Sequence, residues 1–246
     1  MYIMRILKKI DNSLKAYLST TAHTRIKFNE LAQNKKFVNE RVDGYVDLHN
    51  NKQIVIDELK KQICNIIRNY SKDGNNILDF GCGTGRYLKE LENDSRYNLF
   101  GLDIAYQVIE KYTRKNVKNA EIFSTDILTD EVFVNRYNNF FDIIYSVTTL
   151  EYISPFNLNK LFMRFGTLLV KNGTLILQFP VPKNILECFV PGYFRHQPIS
   201  IEKKLKKNRF IILESNGMGT NIRVKKFNKN NSKIREFGYL IIAKNS

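Results

Sequence analysis

Short apolar runs and helical apolar stripes take turns along most of this chain. Ile54, Val55, Leu59, Ile63, Ile66 and Ile67 recur at helical spacing over 51–70. A polar break at 71–75 leads to Ile77 and Leu78, a pair that reads as a buried strand. Runs at 98–104, 120–127 and 140–147 predict a second, third and fourth strand. Leu158, Leu161, Phe162, Phe165, Leu168 and Leu169 predict a helix over 157–170, which Lys171, Asn172 and Gly173 turn into a fifth strand at 174–179. Strands six and seven are expected at 210–214 and 237–243, and the absence of a helical pattern between them points to an antiparallel pair. Strands that alternate with helices give an α/β fold with helices on both faces of a mainly parallel, Rossmann-like sheet.

Upstream, Ile3, Ile6, Leu7, Ile10, Leu14, Tyr17 and Leu18 repeat at helical spacing, with Arg5, Lys8, Lys9, Asp11 and Lys15 on the other face. Residues 19–24 read as a polar break, 28–38 as a short helix anchored by Phe28, Leu31 and Phe37, and 44–49 as a linker. The expected organisation is a helical extension or cap over 1–49 and one α/β domain over 50–246. The first helix suits a substrate cleft or a subunit interface, so a homodimer is compatible with it.

The break after the first strand carries the chemistry. Asp79 ends the apolar run, and Gly81, Gly83 and Gly85 then fall at every second position before the helical segment 86–91. A strand, a glycine loop and a helix form the nucleotide-binding opening of a doubly wound domain. Arg86 stands where the dinucleotide fingerprint needs a small residue, which disfavours a dehydrogenase. An acid two residues before the first glycine suits a ligand with a positive charge. Asp79, Asp103 and Asp126 lie 24 and 23 residues apart, each at the end of an apolar run. One strand, one helix and two short turns need about that length, so the three carboxyls should face one crevice. A single strand-end Asp is often only a helix cap; three in register behind a glycine loop argue for a site.

The segment Ile77-Leu-Asp-Phe-Gly-Cys-Gly-Thr-Gly85 resembles motif I of the class I S-adenosylmethionine-dependent methyltransferases. That resemblance covers roughly 50–246 and implies a seven-stranded sheet of order 3-2-1-4-5-7-6, with the last strand antiparallel. It also implies S-adenosyl-L-methionine as cofactor and S-adenosyl-L-homocysteine as product. By the same resemblance Asp103 holds the ribose hydroxyls, Ile104 lies against the adenine and Asp126 lies near its amino group. Asp79, Gly81, Cys82, Gly83, Thr84, Gly85, Ile127 and Ser146 complete the implied cofactor contacts. Leu150, Glu151 and Tyr152 fall where many relatives read Leu-Glu-His, so Tyr152 replaces a histidine and a base cannot be carried over from that position.

The segment 180–199 follows strand five, holds four of the five prolines and is rich in aromatic residues. A loop this long at the carboxyl edge of the sheet reads as a lid over an acceptor. His196, Glu151 and Tyr152 are the candidate catalytic groups, and Tyr45, Tyr193 and Arg195 the candidate substrate-binding groups. A hydroxyl acceptor needs a general base, whereas an amine needs only to be presented neutral.

Composition adds limits. Three cysteines far apart, without metal-ligand spacing, fit a reduced, cytoplasmic protein with no metal centre. No apolar run reaches the length of a membrane span, and no signal peptide is expected. The formal charge is +15, and it sits at the two ends. Residues 1–36 carry eight Lys/Arg against two acids, and 203–235 carry eleven against one, which leaves the remainder near neutral. Three readings follow in order: methyl transfer to oxygen or nitrogen of a small-molecule acceptor, methyl transfer to RNA or protein through the basic ends, and a cofactor-binding protein without catalysis.

Overall fold

Strand residues here are apolar on successive positions because both faces of the sheet are covered. The computed structural model describes residues 20–33, 52–182, 193–218 and 238–246. The expected helix over 3–18, the linker 44–49 with Tyr45, the middle of the long loop and the basic stretch 223–235 lie outside the described residues.

The elements are α1 (Thr20–Leu31), α2 (Lys52–Tyr70), β1 (Asn76–Phe80), α3 (Arg86–Leu91), β2 (Asn98–Asp103), α4, β3 (Ala120–Ser124), α5 (Glu131–Arg136), β4 (Phe141–Val147), α6 (Leu158–Leu168), β5 (Leu169–Phe179), α7 (Pro198–Lys207), β6 (Phe210–Met218) and β7 (Gly238–Asn245). Helix α4 comes in three parts, Tyr106–Val108, a π-type segment Ile109–Thr113 and Arg114–Asn116. A 3-10 turn, Leu150–Tyr152, follows β4. Among the described residues no helix is long and apolar enough to cross a membrane.

The sheet order is β3-β2-β1-β4-β5-β7-β6, as expected. All neighbours from β3 to β5 pair in parallel, and β7 runs antiparallel to both β5 and β6. Side chains alternate between two cores. Leu78, Phe141 and Ile144 face α5, α6 and α7 through Phe133, Phe162, Phe165 and Ile201. Ile77, Ile143 and Tyr145 face α2, α3 and α4 through Ile63, Ile67, Leu88 and Ile109. This three-layer stack puts the carboxyl ends of β1 to β5 along one edge, where the loops that follow them meet.

Two local expectations are corrected. The turn at 171–173 is present, with Asn172 at φ 65, but it sits inside β5 as an irregularity. Pairing of Phe141 with Leu169 starts the strand early, before the register resumes at Ile143 and Thr174. Residues 20–24 are helical, not a break, and the helix expected over 28–38 ends at Leu31. Tertiary contacts set these limits. Phe28 and Ala32 pack on Ala105, Val108 and Tyr112. The Asn29 Oδ1 accepts the Gln107 backbone N–H at 2.9 Å, which satisfies a first-turn donor of α4. The Tyr112 hydroxyl donates to the Ala32 carbonyl at 3.2 Å.

Candidate functional site

The glycine loop is stitched to the neighbouring strand before it reaches α3. The backbone N–H groups of Gly81 and Cys82 both donate to the Leu102 carbonyl, at 2.7 and 3.1 Å. Gly81 has φ 79, and a Cβ there would collide with the Thr149 side chain. Gly83 has φ 53, and a Cβ there would meet nothing within 4 Å. The loop therefore presents bare backbone to open space at Gly83, which a side chain would fill. Cys82 and Thr84, two of the expected cofactor contacts, are buried. Gly85 is backed by Val117.

The three acids fall at or just past the carboxyl ends of the adjacent strands β1, β2 and β3. Asp79 is 1% exposed, and its Oδ2 has no hydrogen-bond partner. Burial pushes its carboxyl up to about 8; the facing Tyr145 phenol opposes the shift and Asp103 adds to it. Asp103 Oδ2 accepts the Gly83 N–H at 2.9 Å, and its Oδ1 accepts the Ala105 N–H at 2.8 Å. Burial raises the Asp103 carboxyl against those amide donors. Asp126 lies just past β3, and its Oδ1 caps the next turn by accepting the Leu128 N–H at 2.9 Å. Ile104 is half-buried, whereas Ile127 lies within the first core. Ser146 is fully buried with its Oγ unpartnered.

The other half of the edge is built by the end of β4, segment 193–196 and α1. Thr148 takes φ 51, an outlier for a β-branched residue, and its N–H donates to the Gln178 carbonyl at 3.0 Å. No feature of the sequence announces that bend. Glu151 follows in the 3-10 turn, 2% exposed, with Oε2 unpartnered. Burial pushes it up to about 8, opposed by its own backbone N–H and by Arg195.

His196 sits on the turn that follows β4. Its Nε2 lies 2.9 Å from the Leu150 carbonyl and 3.1 Å from the Ile153 carbonyl. Both are acceptors, so Nε2 carries the proton and is committed to the turn that holds Glu151. Burial lowers its pKa, against the two carbonyls, and the ring is 6% exposed.

Aromatic rings close the edge. Tyr152 meets Phe28 edge-on at 4.9 Å and Tyr193 at 5.6 Å between centroids. Lys27 Nζ lies 5.9 Å from the centre of the Tyr152 ring, and the Arg195 guanidinium 5.6 Å from that of Tyr193. Arg195 also donates to the Val181 carbonyl at 3.3 Å. Sequence reasoning missed Lys27 and Phe28 at this edge, because their contacts with Tyr152 join residues more than a hundred positions apart. Tyr45 lies outside the described residues.

Comparison with known proteins agrees with this geometry. The phosphoethanolamine N-methyltransferase of Plasmodium falciparum is 27% identical over 150 residues, 59% of this chain and 54% of that enzyme. The mitochondrial arginine-hydroxylase NDUFAF5 of Mus musculus is 28% identical over 98 residues, 40% of this chain and 27% of that protein. The chain thus spans about a quarter to a half of the length of these curated relatives. Among solved structures, magnesium protoporphyrin IX methyltransferase from Synechocystis PCC 6803 with bound SAM superposes with a TM-score of 0.63 at 15% identity, covering 92% of this chain and 97% of that one. The model of a family described as a methyltransferase domain matches residues 52–210, more than half of the chain. The glycine loop, the strand-end acids and the sheet order all fall inside that match or complete its sheet, and the chain belongs to the methyltransferase-domain family.

Proposed function

We propose that the chain binds S-adenosylmethionine and methylates an oxygen or nitrogen of a small organic acceptor. The observation that carries this reading is the bare backbone of Gly83, open to space, beside the buried carboxyl of Asp79 and the half-buried carboxyl of Asp103. These residues fit the cofactor. Asp79 Oδ2, unpartnered and buried, suits the ammonium of its methionine part, and Asp103 suits its ribose hydroxyls. In this reading Ile104, just past β2, lies against the adenine, and Asp126, just past β3, lies near its amino group. When bound, S-adenosylmethionine supplies an activated methyl group.

The chain's own residues then have three tasks. Phe28, Tyr152 and Tyr193 wall the acceptor and exclude water. Ionised Glu151 takes the proton from an acceptor hydroxyl, and His196 holds the turn that presents it. Alignment of acceptor and methyl group supplies most of the acceleration, up to about 7–11 kcal/mol in well-oriented systems. Titration calorimetry with S-adenosylmethionine, followed by transfer of its labelled methyl group into fractionated metabolite pools, tests the reading. Absence of binding by the folded chain would overturn it.

A second reading, with RNA or a protein as acceptor, draws on Lys203, Lys204, Lys206, Lys207 and Arg209 at α7 and the turn after it. Acceptor binding that weakens steeply with salt would favour it.

A further inference from the structure

We infer that Thr113, with Asn116 one turn on, positions the cofactor loop: these two α4 side chains hold the loop carbonyls and set its shape before S-adenosylmethionine arrives. The inference rests on the cofactor-binding half of the reading above and adds the residues that preorganise that site.

A threonine inside a regular helix can return its hydroxyl to a carbonyl three or four residues back. Thr113, fully buried, instead closes the π-type segment Ile109–Thr113, where the Arg114 N–H reaches the Ile109 carbonyl five residues back. The wider turn re-aims the side chains at its end, and such single-turn segments collect at functional sites. Thr113 Oγ1 donates to the Gly83 carbonyl at 2.5 Å, 30 residues away in the chain. The Val108 carbonyl on its own helix is 3.5 Å off, too far to compete. The methyl group of the same side chain backs the third glycine, since a Cβ at Gly85 would come within 3.1 Å of Thr113 Cγ2.

Together with the bond from the Gly83 N–H to Asp103, this commits both backbone groups of Gly83. The next carbonyl, that of Thr84, accepts from Asn116 Nδ2 at 3.1 Å. The peptide planes of the loop are thus set by β2 on one side and α4 on the other. A loop with glycine at every second position has wide backbone freedom, and ordering it during binding would cost affinity. Packing alone would be served by valine, which has the same shape as threonine; the hydroxyl is needed for the carbonyl.

Titration calorimetry with S-adenosylhomocysteine on three variants tests this. Thr113→Val keeps the shape and removes the donor. It should weaken binding about fivefold or more and speed hydrogen exchange of the loop amides in the free protein. Thr113→Ser keeps the donor and removes the methyl group, so it should bind within about twofold of the unmodified chain even where it melts earlier. Asn116→Ala, at an exposed position that does not put the fold at risk, should weaken binding about twofold or more, and it decides the matter if Thr113→Val does not fold. A folded Thr113→Val protein that binds normally, a Thr113→Ser protein that loses as much affinity as Thr113→Val, or normal binding by Asn116→Ala overturns the inference. Loss of S-adenosylhomocysteine binding by the unmodified chain would instead remove the cofactor reading beneath it.

Discussion

Gly83 donates its backbone N–H to Oδ2 of Asp103 at 2.9 Å, and this one bond ties the glycine loop after β1 to the acid that ends β2. Asp103 therefore shapes the loop as well as facing the crevice. Asp103→Ala removes both functions. It should weaken S-adenosylmethionine binding by at least about 1.5–3 kcal/mol, the range for hydrogen bonds to a charged group. Calorimetry on the folded variant checks this, and unchanged affinity would dismiss Asp103 as a cofactor ligand.

Gly83 and Gly81 should fail in different ways. Gly83→Val places a side chain in open space, so the chain should fold with the cost of a left-handed residue, about 1–2 kcal/mol, and lose cofactor binding. Gly81→Ala drives a methyl group into Thr149 and should lower the unfolding midpoint before binding is affected. Thermal unfolding and calorimetry on the two variants separate these outcomes. A Gly83→Val protein that binds normally would show that the ligand lies elsewhere.

Asp79 and Glu151 hold protons more tightly in the folded chain, near 8, than unfolded, near the usual carboxylate value of about 4. Their contribution to stability is therefore full below about pH 4 and is lost as pH rises through about 8. The unfolding midpoint should fall across that interval, and Glu151→Gln should flatten the fall. A midpoint that climbs steadily from pH 5 to 8, or a Gln variant with the same slope, would contradict the buried, protonated state of Glu151.

Catalysis has the opposite requirement, since only ionised Glu151 accepts a proton. Turnover should rise with pH through about 8, and Glu151→Gln should lose that limb together with most of kcat. His196→Ala should keep the limb at reduced height. It should also destabilise the fold by about 1–3 kcal/mol, because the Leu150 and Ile153 carbonyls lose their shared donor. Loss of the limb in His196→Ala, with the fold intact, would return the base role to the histidine.

The glycine loop was legible because backbone constraints write themselves into composition: positions at positive φ next to a ligand select glycine. The strands were legible because burial on two faces leaves no polar position between Ile77 and Leu78 or in Ile143, Ile144 and Tyr145. Helix α1 was misread because its stability comes from Asn29 on Gln107 and Phe28 on Tyr152, contacts that join residues 78 and 124 positions apart. The contacts of His196 were hidden for the same reason, since its Nε2 meets carbonyls 46 and 43 residues away. Thr148 left no trace, because a β-branched residue is the last one that sequence statistics would put at positive φ.

Strand β7 lies between β5 and β6, although it follows both in the chain. Among the described residues β6 pairs with β7 alone. A ribosome that has released Phe210–Met218 must still add Gly238–Asn245 before β6 has a partner, a wait of a few seconds at about 5–20 residues per second. During that interval β5 also has an open edge on the side β7 will take, and Ile211 and Leu213 remain exposed even in the finished sheet. The nascent chain should therefore be most vulnerable to aggregation between the release of β6 and that of β7. Arrested chains that end before Gly238 should bind trigger-type chaperones more strongly than chains that include Asn245.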